Sequence, residues 1–195
     1  DGIKMAVSYM RVNGNKISTH IAFYNFGSAG QMELNNQVGE LNVDDVLAPQ
    51  IFFCDNSTAV AVRTDGFTVF SGSQSPKEKK TVKFDQEIIS TFHDGNRIGF
   101  VFDGGDSGHK YLMKVYNTGG KNTMQKYFDL QYNSITLQKD KIVLFNEKEI
   151  AIYKLNGQKT FQGKYRKPIQ NVLSIRGFRK YMVITEDSAD LIRLG

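Results

Sequence analysis

Six side chains that could bind a ligand or transfer a proton stand in short segments rich in turn-forming residues. They are Asp55, Asn56, His93, Asp94, Asn96 and Asp140. Carboxylate and imidazole groups perform general acid–base chemistry in enzymes, and carboxylates also bind cations. Asp and Asn are equally the residues that tight turns favour, since they accept backbone hydrogen bonds and tolerate positive φ. These residues therefore indicate either a binding rim made of hairpin turns or ordinary turn chemistry.

The other candidates for metal or cofactor chemistry lack the required spacing. The segment DGGDSG at 103–108 offers Asp103 and Asp106 to calcium, but it lacks the terminal bidentate Glu of an EF-hand loop, and a glycine-rich turn explains it equally well. NTGGKN at 117–122 lacks the full phosphate-loop pattern. The histidines are not paired at the spacing of a metal site, and they are His20, His93 and His109. We predict no cofactor and no metal site, with Asp103 and Asp106 as the residues to examine for a metal.

The composition is that of a globular domain that favours strands. Of 195 residues, 40% are hydrophobic, and the chain has 14 Phe and 9 Tyr but no Trp. No apolar stretch approaches the roughly 18 residues of a membrane span, and the first ten residues do not resemble a signal peptide. The protein is therefore either cytosolic or separated here from its targeting segment. The single cysteine, Cys54, excludes an internal disulfide, and its apolar neighbours favour a small buried hydrophobe over a nucleophile.

Charge is distributed unevenly along the chain. Residues 1–109 carry 9 Lys and Arg against 13 Asp and Glu, whereas residues 110–195 carry 16 against 7. A basic half can attract anionic polymers, and a solvated basic surface is the alternative interpretation. The basic segments SPKEKK (75–80) and KYRKP (164–168) contain few aromatic residues. Sequence-specific recognition of nucleic acid is therefore not predicted, and electrostatic decoration of a rim is favoured.

A repeated phrase indicates which elements must position the turn residues. It consists of an apolar residue, a ring and a turn, as in KVYNTGG at 114–120. The rings are Tyr24, Phe70, Tyr116 and Tyr153, at intervals of 46, 46 and 37 residues. In a fifth, degenerate copy, DLIRL at 190–194, Ile192 takes the apolar place and Arg193 replaces the ring. A period of about 40 residues is typical of a repeat architecture.

Each repeat is predicted to form four short antiparallel strands. Segments rich in β-branched and aromatic residues are separated by turns such as HDGN at 93–96, and a more polar strand follows each phrase, at 32–38 in the first repeat. Four strands in about 40 residues predict a blade of a β-propeller, because blades that pack face to face bury both apolar faces. The repeated rings would be structural residues of the blades.

NVDDVLA at 42–48 could form one helical turn in a linker. The sequence therefore predicts an all-β, β-propeller fold, as a single domain or the C-terminal portion of one, with about five blades at 1–38, 49–84, 87–130, 133–165 and 169–195.

The ends of the chain predict incomplete blades. Residues 1–2 resemble the first hairpin turn of a blade, so the first blade would lack its innermost strand. DLIRLG at 190–195 would be a third strand without a fourth, which makes 18 strands in all. The favoured explanation is the C-terminal portion of a larger propeller, and the alternative is a five-bladed ring with imperfect ends.

The first 27 residues resemble a known family. The repeats are similar to tryptophan-poor, quinoprotein-like and WD40-like blades, although the Gly-His and Trp-Asp pairs of true WD40 repeats are missing. DG-x-x-M-A-V-S-Y followed by I-A-F-Y-N-F-G resembles an uncharacterised family of bacterial propellers, catalogued as a domain of unknown function and found chiefly in Gram-positive gut anaerobes. The resemblance implies a membrane anchor ahead of an extracytoplasmic propeller at the cell surface. It implies no activity.

Three functions are compatible with these residues. The favoured function is a non-enzymatic, extracytoplasmic binding module whose loops hold a protein, a glycan or an anionic cell-wall polymer, with membrane contact only through a segment absent from this chain. The second is a propeller enzyme, such as a hydrolase, a lyase or a quinoprotein-like oxidoreductase, with the six turn residues at its central channel. The third is a cytoplasmic scaffold. No catalytic residue is predicted, and the enzyme alternative stays open at this point.

Overall fold

The computed structural model describes residues 3–14, 16–27, 36–175 and 180–193. These residues form eighteen strands in five antiparallel sheets. Within them, no helix has the length and apolar character needed to cross a membrane. The turn predicted at residues 1–2 lies outside the described residues, and so does RGFR at 176–179, which is predicted to connect the first two strands of the last blade.

The chain divides into two compact units. The first comprises Asp1–Ile88 and Asn117–Lys121, and the second comprises Ile89–Tyr116 and Asn122–Gly195. In every sheet, consecutive strands of the chain are neighbours and run antiparallel. Each sheet is therefore an up-and-down meander, which short hairpin turns suffice to connect.

The first unit contains two sheets. The strands of its first sheet are β1 (Lys4–Asn13), β2 (Lys16–Asn25) and β3 (Gln37–Asp44). The strands of its second sheet are β4 (Gln50–Asp55), β5 (Thr58–Arg63), β6 (Gly66–Ser71) and β7 (Lys77–Lys83). The core between the two sheets consists of Ile21, Phe23, Ala48, Ala59, Ala61 and Phe70.

The second unit contains three sheets. The third sheet has β8 (Ser90–Asp94), β9 (Arg97–Asp103), β10 (Tyr111–Asn117) and β11 (Asn122–Phe128), with a 3-10 turn at Gly105–Ser107. The fourth has β12 (Ser134–Gln138), β13 (Lys141–Phe145), β14 (Glu149–Lys154) and β15 (Lys159–Lys164). The fifth has β16 (Ile169–Ser174), β17 (Lys180–Thr185) and β18 (Ala189–Arg193). One core lies between the third and fourth sheets and another between the fourth and fifth.

Burial explains the composition of the strands. The second strands of the four-stranded sheets are buried on both faces, and in β13 Ile142, Val143, Leu144 and Phe145 are all at most 5% exposed. Such strands need continuous apolar sequences rather than alternating ones. By contrast, β7 reads KEKKTVK, and its four lysines are exposed. Lysines on an edge strand oppose pairing with another chain.

A β-bulge in the outer strand accompanies each repeated ring. The register of the outer strand shifts beside Tyr24, Phe70, Tyr116 and Tyr153 alike. In two sheets the extra residue is a threonine that donates its hydroxyl to the carbonyl before the ring, at 3.1 Å from Thr123 to Val115 and 3.1 Å from Thr160 to Ile152. A bulge increases the local twist of the strand. The repeated phrase therefore encodes a bend of the sheet as well as a core side chain.

The turn after the ring requires glycine. Gly120 and Gly157 have φ of +78° and +82° and donate backbone N–H groups to the carbonyls of Asn117 and Lys154. The turn at Asn117–Lys121 rests on β7 in the first unit, where a Cβ on Gly120 would lie 2.8 Å from Cγ of Lys80. Glycine is needed there both for the backbone conformation and for space.

The first sheet departs from the prediction at its last strand. The last strand is predicted at 32–38, of which residues 32–35 lie outside the described part, whereas β3 runs from Gln37 to Asp44. It continues to Asp44 because the ten-residue β2 extends the ladder to the pair Ser18↔Asp44. The helical turn predicted at 42–48 is wrong, since its first three residues are paired in the sheet and Asp45 has φ of +57°.

The fifth copy of the phrase is displaced by one residue from its predicted position. Tyr181↔Ile192 in the fifth sheet matches Ile142↔Tyr153 in the fourth. Ile192, rather than Arg193, therefore takes the place of the ring, and it packs against the core between these sheets. A slip of one residue exchanges the two faces of a strand, so the error changes which side chain is internal.

Candidate functional site

The predicted turn residues all lie at the hairpins that connect the first and second strands of their sheets, and Asp55, His93 and Asp94 are at the ends of the first strands. Asp55 and Asn56 connect β4 to β5 in the first unit. In the second unit, His93, Asp94 and Asn96 lie at the β8–β9 hairpin, and Asp140 connects β12 to β13. All six are exposed. The structure therefore places them in equivalent hairpins, as turn residues of a common type.

In the first unit, Asp55 is engaged in its own turn. Its Oδ1 accepts hydrogen bonds from the backbone N–H and the hydroxyl of Ser57, at 2.7 and 2.9 Å. These bonds, the backbone one foremost, hold the pKa of Asp55 below its usual value. The carbonyl of Asn56 accepts a hydrogen bond from Nζ of Lys4. Asp55 thus shapes the hairpin, and its carboxylate is already used by local donors.

In the second unit, two hairpins from different sheets bind one another. Oδ2 of Asp94 accepts the backbone N–H of Lys139 at 2.9 Å, and Nη1 of Arg97 donates to the carbonyl of Lys139 at 3.1 Å. Lys139 has φ of +60°, an uncommon conformation for a residue with a Cβ. We call the exposed residues of these two turns other than Gly95 the hairpin cluster; they are His93, Asp94, Asn96, Arg97, Lys139 and Asp140.

Gln138 joins the same turn to the fifth sheet. Its Nε2 donates to the carbonyl of Val172 at 2.8 Å, and its Oε1 accepts the N–H of Ser174 at 2.6 Å. The turn at 138–141 is therefore held from both neighbouring sheets. Sequence reasoning missed Arg97, Gln138 and Lys139, because contacts between residues 34 to 45 positions apart leave no local pattern.

The hairpin cluster carries charges of both signs. Asp140 pairs with Nζ of Lys141, and this hydrogen bond is the main cause of its lowered pKa. Partial burial lowers the pKa of His93, against the opposing effect of the Asp94 carboxylate, which favours a neutral imidazole at pH 7. Asp94 and Arg97 are engaged with backbone groups of Lys139. The arrangement is suited to holding a surface in a defined shape and displaying charge on it.

The described residues do not bring together side chains that could bind a metal ion. Across 3–14, 16–27, 36–175 and 180–193, no group of three His, Cys, Asp or Glu side chains is placed to hold an ion. Oδ1 of Asp103 accepts the N–H of Gly105 at 2.8 Å, and Asp106 lies in the exposed 3-10 turn. The carboxylate of Asp103 therefore caps its loop, as the turn interpretation of DGGDSG expects.

Residues 1–194 match the model of a protein family described as "Family of unknown function (DUF5711)". This chain belongs to the DUF5711 family. Among curated proteins, none matches the sequence.

Solved structures with a similar fold are β-propellers. Hsv2 from Kluyvelomyces marxianus matches 94% of this chain with a TM-score of 0.59 at 10% identity. BBS1N, solved in complex with ARL6DN, matches 91% with a TM-score of 0.56 at 8% identity, and BamB from Moraxella catarrhalis matches 94% with a TM-score of 0.51 at 10% identity. The chain spans 58%, 61% and 60% of these three chains, respectively.

The predicted fold class is therefore confirmed. The DUF5711 chain is an all-β protein with the four-stranded antiparallel blades of a β-propeller. Its second, third and fourth sheets are four-stranded blades, and its first and fifth sheets have three strands each among the described residues. In blade terms, the hairpin cluster lies at the turns after the first strands of two successive blades.

Cys54, at the end of β4, is expected to be a poor nucleophile. Burial raises the pKa of its thiol to about 11, and the Asp55 carboxylate adds to the effect. Because the thiolate is the reactive form, alkylation by iodoacetamide at pH 8 should be roughly 100-fold slower in the folded protein than in the urea-unfolded chain. Mass spectrometry of timed samples measures both rates. Equal rates would contradict the assignment of Cys54 as an unreactive, half-buried residue.

Proposed function

We propose that this chain is a non-enzymatic interaction module and that it binds a protein partner at the hairpin cluster. The observation that supports the proposal is the pair of hydrogen bonds from Asp94 and Arg97 to the backbone of Lys139. They hold turns from two blades in one geometry before any partner arrives. A surface that is already ordered loses little conformational entropy on binding.

The charges of the cluster favour a protein over an anionic polymer. Arg97 and Lys139 are exposed within the same two turns as Asp94 and Asp140. A uniformly anionic polymer would meet both carboxylates as well as the cations, whereas a protein surface can present complementary charges of both signs.

A solved structure of similar fold supports the class of function by analogy. BBS1N, which shares the fold, was solved in complex with another protein, ARL6DN. At 8% identity this likeness concerns the fold, so it supports a partner of the same broad kind and no particular one. An extracytoplasmic location belongs to the same proposal and rests on the resemblance of residues 1–27.

Charge reversal at Lys139 should weaken binding of the partner. The backbone of Lys139, rather than its side chain, makes the contacts to Asp94 and Arg97, so Lys139→Glu changes the displayed charge and leaves those bonds in place. Proteins of the source cell that the immobilised chain retains are identified by mass spectrometry, and the Kd of the purified partner is then measured. We expect Lys139→Glu to raise Kd about tenfold.

The matched control is Lys126→Glu, the same charge change on an exposed residue of β11 in the same unit. It should alter Kd by less than about twofold. Equal losses in the two variants, or retention of no protein, would contradict the proposal. Dextran sulfate serves as a probe for polymer binding. If it binds at physiological salt and both variants weaken it alike, the module binds polyanions and the proposed site is wrong.

A further inference from the structure

The first sheet has one face covered by the second sheet and an opposite face that is open. Ala6 of β1 packs against the core between the sheets, and the hydroxyl of Ser8 donates to the carbonyl of Ala48 at 2.7 Å. Side chains alternate along a strand, so Met5, Val7 and Tyr9 project from the opposite face. Met5 and Tyr9 are 43% and 45% exposed.

The open face corresponds to one that is buried in other blades. Tyr24 pairs with Met5 and shares its face, and it is the first ring of the repeated phrase. In the second blade the equivalent ring, Phe70, is 1% exposed in the core shared with the preceding sheet. In the fourth blade, Tyr153 is 4% exposed and lies in the core that this blade shares with the preceding, third sheet. The position of Tyr24 in the repeat is therefore one that a preceding blade covers.

The fifth sheet is open on the face that a following blade would cover. Leu173, Met182 and Leu191 form a row across its three strands, in which Leu173 is 42% and Leu191 53% exposed. The matching residues of the fourth sheet, Val143 and Ile152, are fully buried against the fifth. Covering such a row with a neighbouring sheet removes large apolar side chains from water, which is favourable.

The strand count points the same way. In the four-stranded blades a first strand pairs with the second, as β4 pairs with β5 and β12 with β13. In the first sheet the strand that carries the ring is β2, so the ten-residue β1 takes the place of a second strand. Among the described residues, no first strand pairs with β1, and β1 is the edge of its sheet. An exposed edge of that length beside apolar side chains invites pairing with another strand.

We propose that further blades of the same propeller cover both faces: a preceding blade packs on Met5, Tyr9 and Tyr24, and a following blade packs on Leu173, Met182 and Leu191. The occupant is four-stranded and antiparallel, with an apolar face, because that is what covers the equivalent residues in the internal blades. It lies in the same polypeptide, outside these 195 residues. The β-propellers of similar fold are longer than this chain, which spans 58% to 61% of their length. This proposal does not depend on the function of the hairpin cluster.

Cysteine labelling of the intact gene product tests the proposal. Tyr9→Cys and Leu191→Cys are introduced one at a time into a Cys54→Ser background, and the rate of maleimide labelling is compared between the 195-residue chain and the intact product. Both positions are expected to label at least about tenfold more slowly in the intact product, since a covering blade must open before reagent enters. Lys79→Cys, exposed on β7, is the control and should label equally fast in both.

Three outcomes would overturn the proposal. The first is equal labelling of positions 9 and 191 in the two proteins. The second is protection that appears only as chain concentration rises, together with a dimer in sedimentation, which would make a second copy the occupant. The third is an intact gene product that consists of these 195 residues alone.

Discussion

Replacing Tyr153 by Ala is expected to lower the free energy of unfolding by about 3–5 kcal/mol. The ring is 4% exposed in the core between the third and fourth sheets, and its centroid lies 6.5 Å from that of Phe128. Its removal would leave a cavity between two blades. The two sheets cannot close this cavity without breaking backbone hydrogen bonds between their strands. Urea unfolding followed by near-UV circular dichroism measures the change.

Tyr127→Ala is the matched control for this substitution. Tyr127 belongs to β11 in the same unit, but 36% of it is exposed, and its ring stacks on His109 at 5.7 Å. Its loss should cost less than about 1 kcal/mol. If Tyr153→Ala costs no more than Tyr127→Ala, the repeated rings are not the packing residues that the repeat predicts.

The second large effect is expected for Asp65→Ala in the first unit. Arg63 is 6% exposed, and its Nε and Nη2 donate to the two carboxylate oxygens of Asp65, both at 2.8 Å. Its Nη1 donates to the hydroxyl of Thr68 at 3.3 Å. Removing the carboxylate would leave a buried cation that keeps its bond to Thr68, which should cost about 3–5 kcal/mol. The same unfolding measurement applies.

A double variant separates loss of the pair from the cost of an unpaired charge. Arg63→Met with Asp65→Ala leaves no buried cation, so it should be more stable than Asp65→Ala alone. Asp187→Ala breaks the exposed pair with Lys167, at 3.0 Å, and should cause a much smaller loss than Asp65→Ala. A double variant no more stable than the single one would show that packing of the Arg63 stem, rather than its charge, carries the effect.

Sequence reasoning was most successful where local chemistry decides the structure. The alternation of strand-forming segments with Asp, Asn and Gly turns is written in residues that are neighbours in the chain, such as HDGN at the β8–β9 turn. Spacing of the rings at Tyr24, Phe70, Tyr116 and Tyr153 exposes the repeat, because each blade solves the same packing problem with the same kind of residue. The fold class followed from these two signals.

Register and sheet length were harder to predict. The repeated phrase predicts Arg193 of DLIRL at the ring position, whereas the pairing Tyr181↔Ile192 assigns that position to Ile192. The helical turn expected at 42–48 was wrong because the length of β2, far from it in sequence, extends the ladder to Asp44. Both errors arise because strand pairing is a long-range property, and a slip of one residue costs nothing in local propensity.

By itself, the sequence determined the four-stranded repeat, the rings at Phe70, Tyr116 and Tyr153 that its central blades bury, and the turn chemistry of its hairpins, since these depend on residue type and close spacing. Only the tertiary structure decided that Asp94 and Arg97 meet Lys139, that Gln138 joins the turn to the fifth sheet, and that Met5 and Leu191 lie on open faces. Those contacts and exposures depend on which strands become neighbours. Packing of whole sheets sets that, and no short segment of the chain encodes it.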